Sequence, residues 1–363
     1  MEIPEEIQTI LSYCESGKYK EAEIFCKEIL TKSPSDPNVL FLLGLIYYHK
    51  GNYESAAEYL AKMLEINPDN ADAHYLLGNA YAFQKKEFFD KAIVCYTKAI
   101  QLNPDNIDPY INLANVYQEK GLYDDAISNL TKAIQLNPDN EDLFYNLGNA
   151  YRAKGQYDDA IACYQKTLQI NPSHADACNN AGVSFKEKGQ FDEAIYFYRK
   201  AIAINSQYVD AYFNLGYALM KKGILEEAVT HFRSSLKYSA DSVNTLVYLG
   251  NTLGEQGKAA DAESCYRRAI QLKPNDWIPH EALLMAMNYN PAYKPGDIYN
   301  EHRLFGEKFE KIFSRYHLPH NNPCVSDRKI RIGYLSPDFR RHSVAYFIEP
   351  VLSAHNHEHF EVF

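Results

Sequence analysis

Residues 107 to 140 read IDPYINLANVYQEKGLYDDAISNLTKAIQLNPDN, and this stretch decides the fold. Tyr110, Leu113, Ala114 and Tyr117 recur at helical spacing and form one apolar stripe, while Ala126, Leu130 and Ala133 form a second after the break at Lys120-Gly121. Two short amphipathic helices are therefore predicted. The small residues Ala114 and Ala126 let the two approach closely, and Pro138 in the NPDN turn stops the second. One pair alone leaves an apolar face in water, so further pairs must stack on it.

The same pattern returns on either side. Turn prolines or their equivalents at Pro34, Pro68, Pro104, Pro138, Pro172, Ser206, Ala240 and Pro274 are 34 residues apart in every gap but the second, which is 36. Aligned on them, Gly44, Gly78, Ala114, Gly148, Gly182, Gly216 and Gly250 fall in one column, and Ala22, Ala56, Ala92, Ala126, Ala160, Ala194, Ala228 and Ala262 in another. Period and columns together are the signature of a tetratricopeptide array, an all-α superhelical solenoid. Eight units are expected over 3–276: 3–36, 37–70, 71–106, 107–140, 141–174, 175–208, 209–242 and 243–276. The two additional residues of the third unit lie within 84–89, at the tip between its helices. The first unit carries Thr9 and Ile10 where the others have an aliphatic or alanine followed by Gly or Ala, which suits an N-terminal cap. A ninth helix is expected over 277–289, with Leu284 in place of the small residue.

A formal net charge of −10 argues against nucleic acid or an anionic membrane as the main partner. The start MEIPEEIQTI is acidic and no later run is long and apolar enough to span a bilayer, so no signal peptide, no membrane partner and a cytoplasmic location are expected. The seven cysteines form no CxxC pair. Cys95, Cys163 and Cys265 share one register of the second helix, which reads as small helix residues in a reducing compartment.

Binding falls to the residues that do not pack. Counted from the first residue of each unit, positions 4, 7, 8 and 11 of the first helix are expected to face the core, leaving 2, 6, 9 and 13 on the opposite stripe. Position 6 is Asn112, Asn146, Asn180 and Asn214 in four consecutive units, and position 9 adds Asn79, Asn115, Asn149 and Asn251. If first helices line the inner wall, these amides form a ladder along a groove that holds acceptor or partner proteins. A carboxamide both donates and accepts, so it can grip a peptide main chain without reading side chains. The same amides could equally serve hydrogen bonding from repeat to repeat. Position 2 is Asp72, Asp108, Asp142, Asp176 and Asp210, acids that complement the helix dipole in a first turn or else touch a ligand.

After Asn290 the pattern changes. A terminal helix, a connecting helix and a linker are expected over 277–326, with Asp297 after the proline-rich NPAYKPGD capping a helix that carries Ile298, Phe305, Phe309, Ile312, Phe313 and Tyr316. LPHNNPCVSDRK reads as the linker. Over 327–363 come the strand-like KIRIGYL, the loop SPDFRRH, a helix from about 344 to 354 and the strand-like FEVF. That is the opening βαβ unit of a doubly wound, Rossmann-like α/β lobe, too short as it stands to bury a sheet on both faces. His355, His357 and His359 alternate as strand residues would but precede the strand, and no metal is expected there. His342 lies in a strand-to-helix loop, where a helix N-terminus disfavours protonation and keeps an imidazole able to accept a proton or hydrogen bond. Asp338 in the same loop is a second candidate, and could equally cap the next turn.

The segment KIRIGYLSPDFRRHSVAYFIEPVL, with the linker and repeats before it, resembles the O-linked N-acetylglucosamine transferase and SPINDLY family. RRHSVAYF, with Arg340 and Arg341, and the helix EHRLFGEKF, with His302, are similar to bacterial members. The resemblance implies a tetratricopeptide superhelix joined to a two-lobed glycosyltransferase. Its reaction is inverting transfer of a sugar, N-acetylglucosamine or fucose, from a uridine diphosphate donor to a protein Ser or Thr hydroxyl. No cofactor is implied beyond that donor. His342 matches the family's active-site histidine of the first lobe, as a base or an acceptor-positioning group. The family's main diphosphate-gripping residues lie in a second lobe that residues 1–363 do not include, so these residues alone are expected to transfer no sugar. The alternative is a stand-alone scaffold for protein–protein interaction.

Overall fold

The computed structural model of the protein describes residues 4–313, 330–332 and 360–362. Two compact units divide the chain, Met1–His302 and Arg303–Phe363. The first is an array of helix pairs. First helices α1 (Glu5–Glu15), α3 (Pro37–His49), α5 (Ala71–Gln84), α7 (Asp108–Glu119), α9 (Glu141–Ala153), α11 (Ala175–Glu187), α13 (Val209–Lys221) and α15 (Val243–Glu255) alternate with second helices. These are α2 (Tyr19–Lys32), α4 (Tyr53–Ile66), α6 (Phe89–Leu102), α8 (Tyr123–Leu136), α10 (Tyr157–Ile170), α12 (Phe191–Ile204), α14 (Leu225–Tyr238) and α16 (Ala259–Leu272). The terminal helix α17 (Trp277–Tyr289) completes the stack.

Local chemistry ends each helix where the sequence turns. In the fourth unit the Leu122 amide donates to the Tyr117 carbonyl at 2.8 Å and the Gly121 amide to Gln118 at 2.9 Å, with Gly121 at φ +74°. This reverses the chain at a residue whose left-handed conformation a Cβ would oppose. Seven of the eight units have such a glycine there; the third instead spends its two additional residues on a short 3-10 turn, Lys86–Phe88. Asn70 Oδ1 accepts from the Ala73 amide at 2.8 Å and so caps α5.

The core of each pair is a size match between position 8 of the first helix and position 24 of the second. Tyr96, Tyr164, Tyr198, Phe232 and Tyr266 face Gly78, Gly148, Gly182, Gly216 and Gly250, at each of which an added Cβ would stand within 2.9 Å of the ring. Gly44 faces Leu60, and in the fourth unit Ala114 shares the core with Leu130. The first unit inverts the match: Ile10 is fully buried and its counterpart is the small Cys26. The unusual Ile10 is thus a core residue of the first unit.

Burial widens the expected core register of the first helices. Positions 7 and 8 are core throughout α9, α13 and α15, and position 11 is core in α13 and α15 as Leu219 and Leu253, with Leu246 at position 4 of α15; positions 3 and 10 are buried as well, as at Leu143, Ala150, Ala211 and Ala218. Positions 4 and 11 are only half-buried in α9, where Phe144 and Tyr151 occupy them. The second-helix stripe Ala126, Leu130 and Ala133 is buried as expected. The six described cysteines are free thiols, and burial pushes Cys95 up to about 11 and Cys163 up to about 12, consistent with packing residues.

Polar contacts also keep the repeats in register. Lys120, Lys154, Lys188 and Lys222 each reach the aspartate thirty residues back, Asp90, Asp124, Asp158 and Asp192. Such exposed pairs are worth about 0–1 kcal/mol each. A stronger clasp joins the first two units, where Glu23 accepts from Tyr47 Oη at 2.7 Å and from Lys27 at 2.6 Å, and pairs with Lys50.

The connecting helix α18 (Pro295–Phe313) starts two residues before the expected cap. Asp297 lies inside its first turn, with its carboxylate accepting from the Lys294 amide at 3.1 Å. In the second unit the Phe305 and Phe309 rings pack at 4.7 Å, and strands β1 (Ile330–Ile332) and β2 (Phe360–Val362) pair in parallel, Ile330 opposite Phe360. The segment between the strands, where the helix of the expected βαβ unit would lie, is outside the described residues.

Two predictions follow from the packing and the clasp. Gly148→Ala should destabilise the array by about 1–3 kcal/mol through overpacking on Tyr164, and Tyr164→Leu should relieve part of that cost in the double variant. Additive effects in a thermal-denaturation cycle would disprove the coupling. For Glu23, hydrogen bonds from Lys27, then Lys50 and Tyr47, hold the carboxylate at about 2 against an ordinary 4.5. A depressed folded value stabilises above the unfolded one and loses that contribution as pH falls through the folded one. Glu23→Gln should therefore lower Tm at pH 7, with the gap to the parent closing between pH 4.5 and 2; a pH-independent gap would refute it.

Candidate functional site

First helices of neighbouring repeats touch one another, α3 with α5, α5 with α7, α9 with α11, α11 with α13 and α13 with α15, and second helices do so less. The first-helix face is therefore the inner side of the solenoid's curvature. The asparagine columns lie on it, and most of their amides are already engaged. Asn112 Nδ2 donates to Asn79 Oδ1 at 2.8 Å and to Tyr75 Oη at 3.2 Å, and Tyr96 Oη donates to the same Asn79 oxygen at 2.8 Å. Two repeats on, Asn180 Nδ2 donates to Asn149 Oδ1 at 3.0 Å and Tyr145 Oη at 3.2 Å, while Tyr164 Oη donates to Asn149 at 2.8 Å. Tyr266 Oη bonds Asn251 in the same way. In the sixth unit Val183 occupies position 9, and Asn214 reaches Asn179 Oδ1 instead, at 3.0 Å.

Chemistry decides what remains for a ligand. Asn112 and Asn180 commit both N–H groups inward, so what they offer toward the groove is a carbonyl oxygen that can accept a peptide N–H, that of Asn180 already accepting from Asn179 Nδ2 at 3.3 Å. The side chains of Asn115 and Asn146 make no hydrogen bond among the described residues. The cause is local. Leu130 at position 24 has no hydroxyl to hold Asn115, and α7 and α9 touch less than the other first-helix neighbours. The aspartate column is exposed in the first turns of its helices, and Asp176 accepts a hydrogen bond from Tyr208 of the same unit. His342, Asp338 and the triplet His355, His357 and His359 lie outside the described residues. Among those that are described, no group of three or more His, Cys, Asp or Glu is arranged to hold a metal ion.

The groove also holds two apolar hollows that the sequence reading missed. One, of about 230 Å³, includes Phe83, Phe89 and Val116 beside Asn112 and Asn115. The other, of about 700 Å³, lies between α15 and α17. The signal was present in the sequence: positions 2, 9 and 13 of α17 are Ile278, Met285 and Tyr289, where earlier units have mostly polar residues.

Tyrosine hydroxyls test the network directly. Tyr198 Oη is buried without a hydrogen-bond partner among the described residues, because Val183 stands where an asparagine would accept it. Tyr198→Phe should leave stability unchanged or slightly raised, whereas Tyr164→Phe should cost about 0.5–1.5 kcal/mol. Equal losses in chemical denaturation would break the asparagine–tyrosine assignment.

Among the described residues no helix is long and apolar enough to cross a membrane. Two probable UDP-N-acetylglucosamine–peptide N-acetylglucosaminyltransferases SPINDLY are similar to the repeats. The one from Oryza sativa subsp. japonica is 36% identical over 97 residues, covering 27% of this chain and 10% of its own. That from Hordeum vulgare is 39% identical over 87 residues, covering 24% and 9%. The chain thus spans about a tenth of the length of these curated relatives. The crystal structure of a tetratricopeptide repeat protein from Parabacteroides merdae shares the fold at TM-score 0.52 and 22% identity, covering 69% of this chain and 99% of its own. Residues 25–244 match the model of the Cilia and flagella-associated protein 70 C-terminal domain, and residues 244–276 a tetratricopeptide repeat model. With eight helix pairs, their recurring columns and a match over more than half its length, the chain belongs to the tetratricopeptide-repeat family that the Cilia and flagella-associated protein 70 C-terminal domain model describes.

Proposed function

We propose that residues 1–363 are the N-terminal part of a cytoplasmic protein O-glycosyltransferase of the SPINDLY kind. In this reading the solenoid recruits acceptor proteins along its inner groove, and the segment from residue 327 opens a Rossmann-like lobe. That lobe, with a second one, transfers a sugar from a uridine diphosphate donor, N-acetylglucosamine or fucose, to Ser or Thr. The observation that carries the reading is the similarity of the repeats to proteins named as such transferases. The parallel pairing of β1 with β2 supports it, since a crossover between parallel strands is how such a lobe begins. His342 would accept the hydroxyl proton or hold the acceptor, with Asp338 beside it in sequence. A second reading, a scaffold without catalysis, is favoured by the confinement of the matches to the repeats.

One experiment separates recognition from chemistry. Asn115→Ala with Asn146→Ala removes two amides that hold nothing else, so thermal stability should persist, Ala being the better helix former. In a protein carrying both lobes, glycosylation of a long unstructured acceptor should fall about fivefold or more, from two lost neutral hydrogen bonds. Modification of a short peptide confined to the catalytic cleft should not change. His342→Ala should instead reduce both by about 100-fold. Unchanged transfer in the asparagine variant would remove the ladder from recognition, and unchanged transfer in the histidine variant would place the chemistry elsewhere.

A further inference from the structure

The last first helix presents the groove with different chemistry from its predecessors. Ile278, Met285 and Tyr289 are 46%, 60% and 78% exposed on α17, large apolar side chains held in water on one stripe. Beneath them the cavity between α15 and α17 has an apolar floor, including Val247, Ala282 and Ala286. At about 700 Å³ it falls within the roughly 300–1,000 Å³ of ordinary binding pockets. Two carboxylates stand at its edge, Glu255 and Glu281. Both are exposed, neither makes a hydrogen bond or ion pair among the described residues, and no basic side chain lines the cavity.

Each feature narrows the occupant. An apolar floor large enough for more than one side chain favours bulky hydrophobic groups, and methionine adapts its shape to them. Unpaired carboxylates over a low-dielectric floor repel phosphate and favour a cation, to which the Tyr289 ring adds its negative face. Asn251, whose oxygen already accepts from Tyr266, belongs to the same asparagine column as the rest of the groove, so the cavity is continuous with that stripe.

We propose that this cavity is a specificity subsite for an extended segment of a partner protein that presents a bulky apolar side chain next to Lys or Arg. The proposal rests on the groove being the protein-binding face and names what one end of it selects. The amides between grip main chain, which is the same in every partner; the α15–α17 cavity reads side chains.

The test uses the chain of residues 1–363 and two fluorescein-labelled peptides, GSGSLKRFGSGS and GSGSLEEFGSGS, followed by fluorescence polarisation. The basic peptide should bind at least about fivefold more tightly than the acidic one, and the preference should shrink with added salt. Glu255→Lys with Glu281→Lys, both at exposed sites, should reverse the preference. Met285→Ser should weaken both peptides by about threefold or more by removing apolar contact. Equal binding of the two peptides, no binding of either, or an unchanged preference in the charge-reversed chain would overturn the proposal. These outcomes are independent of the Asn115 and Asn146 variants. Loss of the peptide preference alone sinks the subsite and leaves the groove, whereas unaffected transfer in the asparagine variants alone sinks the ladder and leaves the subsite.

Discussion

Everything in the array depends on how closely the two helices of a pair approach at positions 8 and 24. A glycine in mid-helix costs about 1 kcal/mol relative to alanine. The aromatic ring it admits withdraws about 150–250 Å² from water, which at about 25 cal/mol per Å² is several times larger. Gly148 with Tyr164 and Gly250 with Tyr266 are the resulting contacts, each too tight for a Cβ. Two units have a leucine in place of the ring: in the fourth Leu130 lies with Ala114, whereas in the second Leu60 approaches Gly44 too closely for a Cβ. The first unit reaches the same sum by placing its bulk on the other partner, Ile10.

The ring's hydroxyl carries this choice between the two helices into the groove. Because Tyr96 and Tyr164 stand against a glycine, their oxygens reach Asn79 and Asn149, which also accept from the next repeat. Core packing, repeat-to-repeat bonding and the polarity offered to a ligand are thus three results of one contact. The fourth unit shows the converse: with Leu130 in place of the ring, Asn115 and the following Asn146 are left unengaged. An amide freed in this way offers both donors and an acceptor to whatever lies in the groove.

The helix pairs, their boundaries and the terminal helix were legible in the sequence, since a 34-residue period and proline-marked turns are local signals. The neighbours of each face were not. Position 3 buries small residues such as Ala211, which clusters with Ala177 and Ala201 of the preceding repeat, a non-local contact that one unit's periodicity does not encode. For the same reason the asparagine column reads identically whether it grips a peptide or the next repeat; only the distances from Asn112 and Asn180 reveal the inter-repeat bonds. Asp297 was misplaced by one turn because Pro295, suited to an early helical position, precedes it. The exposed stripe of Ile278, Met285 and Tyr289 was readable but was passed over once Leu284 broke the repeat pattern.

The matched columns also bear on how such an array can lengthen. Unequal recombination between neighbouring repeats leaves every size match intact if both breakpoints fall in the turn that ends a second helix, as at Pro138 or Pro172. A crossover inside a hairpin instead joins a first helix from one unit to a second helix from another. Joining the α7 segment to the α10 segment would set Ala114 against Tyr164, where even the glycine leaves no room for a methyl group. Between units that share the glycine and the ring, such as the fifth and sixth, the same crossover keeps the match, so the packing of single pairs filters only exchanges that bring a ring against a first helix without the glycine.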